Sequence, residues 1–303
     1  MLNVSEAAVL EGGFLAPLGM TRESQSIKAV VDEAVRRLAG GKTETPRLDA
    51  EILMAFVLGW PRSRLFAHWD GPLESDERQR YEACVRRRGA GEPVAYIRQV
   101  KEFLGLEFYV DLRVLIPRPE TEQLADRAIA WLTSRPREAA VIDVGSGSGA
   151  IAVAILRSCP DVRLLAADCS PEALEVARLN ADRHGVAPIF LQGSLLEPVQ
   201  ERVDLIVANL PYLSRSEYEG LLDTSIAFEP RLALTDEQDG LRLFAELFRQ
   251  APAKLKPGGC LLLEIGSGQP ADLVELARQC LPDFEPAVFA DYAGLPRVLQ
   301  LQW

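Results

Sequence analysis

The sequence predicts an α/β protein: a mainly parallel, doubly wound sheet preceded by a small helical section. Three observations predict it. From Ala139 onward, short apolar runs alternate with stretches of helical periodicity, as expected of strands covered on both faces by helices. One of those runs, residues 141–144, leads into a glycine-rich turn at 145–149 that opens a helix. Before residue 99 the apolar spacing is helical only.

The elements follow in order. Residues 1–25 hold several glycines, show weak periodicity and read as an N-terminal extension. In residues 26–98, Ile27, Val30, Val31, Ala34, Val35 and Leu38 mark a first helix that Gly40-Gly41 ends. A second helix spans about 46–58 and stops at Gly59-Trp60-Pro61, and a third spans about 76–88. Residues 99–116 change character. Phe103, Leu106, Phe108, Val110, Val114 and Leu115, with Gly105 and Asp111 as breakers, predict two short strands and a β-hairpin linker. The remainder, 117–303, forms the large α/β domain. Its strands are expected near 141–144, 162–167, 189–192, 205–207, 260–265, Phe289 and Val298. Its helices are expected to end near 158 and to cover 171–183, 241–254 and 271–280.

Composition narrows the function. The chain has 303 residues, 33 basic and 44 acidic, for a net charge of −11. Phosphate backbones repel such a chain on average, so stable nucleic-acid binding is not expected. The five cysteines are scattered with no C-x-x-C pair, and His68 and His184 have no neighbouring ligand. No metal site, disulfide framework or His-based triad is therefore expected. The start shows no secretory pattern, and no apolar run reaches about 18 residues. The expectation is a soluble, cytoplasmic protein without a membrane partner.

Two segments carry chemistry. In Asp143-Val144-Gly145-Ser146-Gly147-Ser148-Gly149 the glycines allow a tight turn and close ligand approach. The helix that follows presents free N–H groups, which suit a phosphate or an amino-acid carboxylate. Asp168, 19 residues beyond Gly149 at the end of the next strand, can accept from both ribose hydroxyls. Together they predict an adenosine-containing cofactor. The G-x-G-x-G spacing with Asp143 two positions ahead resembles the S-adenosylmethionine version more than a dinucleotide site.

The second segment is Asn209-Leu210-Pro211-Tyr212, at the carboxyl end of an apolar strand, where open α/β sheets bind ligands. A conjugated NH₂ group is a poor nucleophile, and two acceptors aimed at its hydrogens would orient the lone pair and stabilise growing positive charge. The Asn209 side-chain oxygen and the Leu210 carbonyl are the candidate acceptors. Tyr212 can pack against the planar group and exclude water. By itself this segment fits a side-chain amide or the exocyclic amine of adenine, so an adenine-N6 nucleic-acid methyltransferase is the alternative reading. The acidic charge and the lack of an evident target-recognition domain stand against it. A non-catalytic cofactor-binding protein is a third class.

The chain is similar to the peptide chain release factor glutamine N5-methyltransferases, the HemK-type family. The resemblance rests on Glu92-Pro93-Val94-Ala95-Tyr96-Ile97, Val114-Leu115-Ile116-Pro117-Arg118-Pro119-Glu120-Thr121-Glu122, the glycine turn, the Asn209 segment, Phe228-Glu229-Pro230-Arg231-Leu232-Ala233-Leu234 and Ala293-Gly294-Leu295-Pro296-Arg297-Val298. It implies a Rossmann-like, seven-stranded class I methyltransferase domain after a helical substrate-docking domain and the hairpin. It also implies S-adenosyl-L-methionine as cofactor and S-adenosyl-L-homocysteine as product. The acceptor it implies is the Gln of the Gly-Gly-Gln motif of release factors. Cofactor contacts then fall on Gly145, Ser146, Gly147, Ser148, Gly149, Asp168, Ser194, Leu195 and Asn209, and catalysis on Asn209, Leu210, Pro211 and Tyr212. Two residues depart from the family pattern. Leu210 stands where the family usually has Pro, and Ser194 stands where an acidic residue near the adenine is common.

Overall fold

A computed structural model describes residues 26–41, 43–135, 138–221 and 225–303; the expected extension at 1–25 lies outside them. The amino-terminal helices start and stop where local chemistry satisfies their ends. α1 (Ile27–Leu38) begins at Ser26, whose hydroxyl accepts the Ala29 N–H at 3.3 Å. α2 (Pro46–Leu58) has Pro46 in its first turn and ends at Gly59 with φ +65°. α4 (Ser75–Gly89) opens on a reciprocal cap between Glu74 and Glu77. The short helices α3 (Arg62–Ala67) and α5 (Val94–Arg98) complete the group. Ile27, Val31, Leu38, Leu53, Met54, Leu65 and Tyr81 form its core. Arg88 and Asp49 pair at 2.7 Å at the edge of that core.

The hairpin is shorter than expected. β1 (Lys101–Phe103) and β2 (Leu106–Phe108) pair antiparallel around Leu104 and Gly105, both at positive φ. Phe103 and Phe108 are fully buried, edge to face. Residues 110–115 form no strand. Asp111 accepts the Arg113 N–H at 3.0 Å and grips its guanidinium, which turns the chain. Val110, Val114 and Ile116 instead pack with Tyr96, Ala173 and Val176, and the Tyr96 hydroxyl donates to the Val114 carbonyl at 2.6 Å.

A helix that periodicity had not flagged, α6 (Pro119–Thr133), follows. Thr121, Leu124, Ala125, Ala128 and Leu132 face inward, and Pro119 fits the first turn, where its missing N–H costs nothing. Then strands and helices alternate: β3 (Ala140–Val144), α7 (Ala150–Ser158), β4 (Arg163–Asp168), α8 (Pro171–His184), β5 (Ile189–Gln192), β6 (Val203–Ala208) and the short α9 (Arg215–Gly220). α10 (Arg242–Lys254), β7 (Leu255–Glu264), α11 (Pro270–Cys280), β8 (Glu285–Ala290) and β9 (Pro296–Gln302) close the chain.

The large sheet has seven strands in the order β5-β4-β3-β6-β7-β9-β8. β3 pairs in parallel with β4 on one side and β6 on the other, while β9 runs antiparallel between β7 and β8. All five residues of β3 are buried, because helices cover both faces. One face packs on Phe244, Leu247 and Phe248 of α10, the other on Leu124, Ala128 and residues of α7. The chain leaves β3 toward one edge of the sheet and resumes at β6 toward the other. The crevice between those two strand ends is a topological switch point, where a ligand finds room.

Candidate active site

β3 and β6 end side by side, with Val144 opposite Ala208. The glycine turn and the Asn209 segment therefore leave the sheet as neighbours. Gly145, Gly147 and Gly149 all have positive φ, from +52° to +78°. A methyl group on Gly145 would sit 3.6 Å from both the Asn209 carbonyl and a Leu210 methyl. Gly149 has a different duty. A β-carbon there would press on Ala177 of α8 at 3.1 Å, so this glycine lets two helices approach.

Between these ends lies a cavity of about 310 Å³, the size class that encloses a nucleoside-sized ligand. Gly145, Gly147, Asp168, Ser194, Leu195, Asn209, Leu210 and Pro211 line it. A smaller recess of about 50 Å³ continues past Ser146, Ser148 and Asn209 toward Arg118 and Thr121. Among the described residues, the buried Ser146 hydroxyl has no hydrogen-bond partner, which leaves a free donor at the turn.

Asp168 is held rigidly at the end of β4. One carboxylate oxygen accepts the Gly147 N–H at 2.8 Å and the other the Ser170 N–H at 2.9 Å. Each oxygen keeps lone-pair capacity toward the cavity. Burial raises this carboxyl's pKa, and the two backbone N–H bonds oppose the shift. Asp143, behind the turn, is completely buried; among the described residues the Ala152 backbone N–H is turned toward its carboxylate without reaching full hydrogen-bond geometry. Burial, with the charge of Asp168 adding to it, pushes its pKa up to about 7. Leu195 sits at φ +48°, a strained conformation for a side-chain-bearing residue at the cavity wall.

The Asn209 amide nitrogen donates to the Thr121 hydroxyl at 3.1 Å, and that hydroxyl donates to the Glu264 carboxylate at 2.6 Å. Leu210 is anchored through its side chain. Its side chain is 3% exposed and belongs to the core beneath the sheet. Burying a leucine contributes about 1.5–3 kcal/mol, which offsets the pre-organisation that a Pro would bring. Tyr212 lines neither cavity; its ring packs against the sheet core. Burial, with Glu264 nearby, pushes its hydroxyl up to about 12. The Tyr212 carbonyl accepts from Gln269 at 2.9 Å.

A covering segment forms a further wall of the cavity. Pro230, Leu232, Ala233, Thr235, Asp236 and Glu237 line it. Glu229 anchors this cover: it accepts the Ile116 N–H at 3.0 Å and pairs with Arg118 at 2.5 Å. The Arg118 segment is thus tied into the site. Asp236 organises the loop behind the cover by accepting the N–H groups of Gln238, Gly240 and Arg242. Asn180, fully buried, holds Tyr109 and the Ser148 carbonyl in place.

Of the residues picked out in the sequence, the structure gathers all but Gly149 and Tyr212 around the two cavities. Thr121, Glu229, Glu264 and Asn180 carry the site's second layer. Thr121 and Glu229 lie in the motifs quoted above, but spacing gave them no partner.

Comparison with known proteins adds the family. The PrmC N-terminal domain family matches residues 29–98, and the methyltransferase small domain family matches residues 125–237. The release factor glutamine methyltransferase of Geobacter sulfurreducens is 40% identical over 248 residues, covering 82% of this chain and 86% of that protein. The protein of the same name from Bordetella pertussis is 43% identical over 238 residues, 77% and 87% of the two chains. That of Moorella thermoacetica is 40% identical over 276 residues, 90% and 96%. With this identity across most of both lengths, the chain belongs to the release factor glutamine methyltransferase family.

Proposed function

We propose that this protein transfers a methyl group from S-adenosyl-L-methionine to the side-chain N5 of the Gln in the Gly-Gly-Gln motif of peptide chain release factors. The observation that carries the reading is the adjacency of the glycine turn and Asn209 across the β3–β6 pairing. That adjacency supports a reading in which a cofactor cradle and an NH₂-orienting group share one crevice.

The residues present fit the cofactor. The turn offers close-approach glycines, a buried unpartnered hydroxyl on Ser146 and a helix N-terminus for a carboxylate. Asp168 would receive the ribose hydroxyls, and Gly193, Ser194 and Leu195 would flank the base. When bound, the cofactor supplies an electrophilic methyl group on a sulfonium.

The chain's own groups prepare the acceptor. Asn209 Oδ1 and the Leu210 carbonyl take the two amide hydrogens, turning the nitrogen lone pair toward the cofactor side. They also stabilise positive charge as it grows on nitrogen. No group has to remove a proton before transfer, because the proton leaves from the methylated product. The apolar cavity wall and the cover anchored by Glu229 exclude water. The helical domain before the hairpin docks the large protein substrate.

Labelled methyl transfer tests the reading. The release factor is expected to take up label, and neither duplex DNA nor a factor with the motif Gln replaced is. Label in DNA would favour adenine methylation instead.

A further inference from the structure

An amide side chain has two orientations that differ by a half-turn, and only one is useful in this site. If Asn209 turned its NH₂ to the acceptor nitrogen, two donors would face each other. What selects the orientation lies outside the Asn209 segment. Glu264 ends β7, Thr121 sits in the first turn of α6, and Asn209 follows β6; the three side chains form one chain of hydrogen bonds. Glu264 and Thr121 are 1% and 4% exposed, so water does not compete.

The donor count then decides the direction. An ionised carboxylate only accepts, and a hydroxyl has a single proton. Thr121 must give that proton to Glu264, at 2.6 Å. Its oxygen is left with lone pairs alone, and these accept only from an N–H, at 3.1 Å from Asn209 Nδ2. Among the described residues, Asn209 Oδ1 has no donor of its own.

We propose that Glu264 and Thr121 form a positioning relay that locks the Asn209 amide with Oδ1 committed to the acceptor nitrogen. This rests on the proposed glutamine methylation for its consequence in turnover, but not for the orientation itself. Neither relay residue touches the reacting atoms; both act through Asn209.

The relay depends on the charge of Glu264. Arg118 and Glu120 at the start of α6, Arg297 on β9 and Tyr212 after β6 are the charged or titratable groups that face it. Burial pushes its pKa up to about 7, against the pull of the Thr121 hydrogen bond and Arg297. Once protonated, the carboxyl can donate to Thr121, free the hydroxyl proton for Oδ1, and allow the unproductive orientation. Turnover therefore rises with pH through the Glu264 range.

Two readouts test this in the full-length protein. The first is the side-chain NH₂ resonance of Asn209 in ¹⁵N-labelled protein, identified by its loss in Asn209→Ala. It is expected to be protected from water exchange, to titrate with Glu264, to lose protection in Thr121→Val and to regain it in Thr121→Ser. The second is turnover on a release factor. Thr121→Val is expected to lower kcat roughly 10- to 100-fold, with less than about twofold change in cofactor Kd and in KM for the factor. It also flattens the acid limb of the pH profile, and Thr121→Ser restores both. An Asn209 resonance indifferent to Thr121→Val overturns the relay. So does a Thr121→Val enzyme with unchanged kcat and pH profile. A relay seen by resonance in a protein that methylates no release factor overturns only the proposed activity.

Discussion

Glu229 accepts the backbone N–H of Ile116 at 3.0 Å across 113 positions of sequence, and its other oxygen pairs with Arg118. One buried carboxylate thus ties the cover of the cavity to the chain entering α6. Replacing it with Ala strands a buried N–H and leaves Arg118 unpaired. Glu229→Ala is expected to cost about 1–3 kcal/mol of stability. It should also weaken cofactor affinity, because the cover loosens. Denaturant melts and calorimetric titration of the cofactor check both effects.

Asn209→Ala removes the acceptor that the proposed mechanism relies on as charge grows on nitrogen. A loss of roughly 10²- to 10³-fold in kcat is expected, the scale seen for removing one such preorganised group. Cofactor affinity should change little, since the proposed reading gives the ribose side to Gly147 and Asp168. Single-turnover rates measured beside cofactor titrations separate the two.

Leu210 is anchored by its side chain in the core, whatever its carbonyl does in the proposed reaction. Leu210→Ala is expected to destabilise the protein by about 2–5 kcal/mol. Leu210→Met, which conserves volume, should cost less than about 1.5 kcal/mol. Equilibrium unfolding distinguishes these outcomes, and equal effects would mean that the site tolerates a cavity.

Asp143 gives a pH signature. Its folded-state pKa is raised to about 7, well above the value of an exposed Asp. The folded state therefore binds more protons than the unfolded chain between about pH 4 and 7, and stability falls as pH rises through that window. Glu264 adds to the same slope. Asp143→Asn is expected to flatten it and to raise stability at pH 8 relative to the unaltered protein. Melts from pH 5 to 8 on both proteins check the sign.

Much of this was legible in the sequence because it is local. The strand runs, the glycine turn and Asp168 declare themselves by period and spacing over a few residues. α3 and α5 did not, because six and five residues complete too little of a helical repeat. α6 was readable from Pro119 and the inward spacing of Thr121, Leu124, Ala125, Ala128 and Leu132, but charged and polar residues interleave that spacing and no helix was expected there. The hairpin was overextended, since Val110 and Val114 look strand-like yet are buried against Tyr96 and α8. Gly149 shows the limit of a motif: its place in the turn suggested a ligand, while its neighbour Ala177 shows helix packing. The Glu264–Thr121 contact spans 143 positions, and only the packing of α6 on β7 brings it about.

The central claim is that the acceptor is one side-chain amide. Peptide mass spectrometry of a release factor, after incubation with this protein and S-adenosyl-L-methionine, tests it most directly. One added methyl on the side chain of the Gly-Gly-Gln glutamine, absent when Asn209→Ala replaces the unaltered protein, is the predicted result. A methyl on any other residue, or none at saturating cofactor, would contradict it.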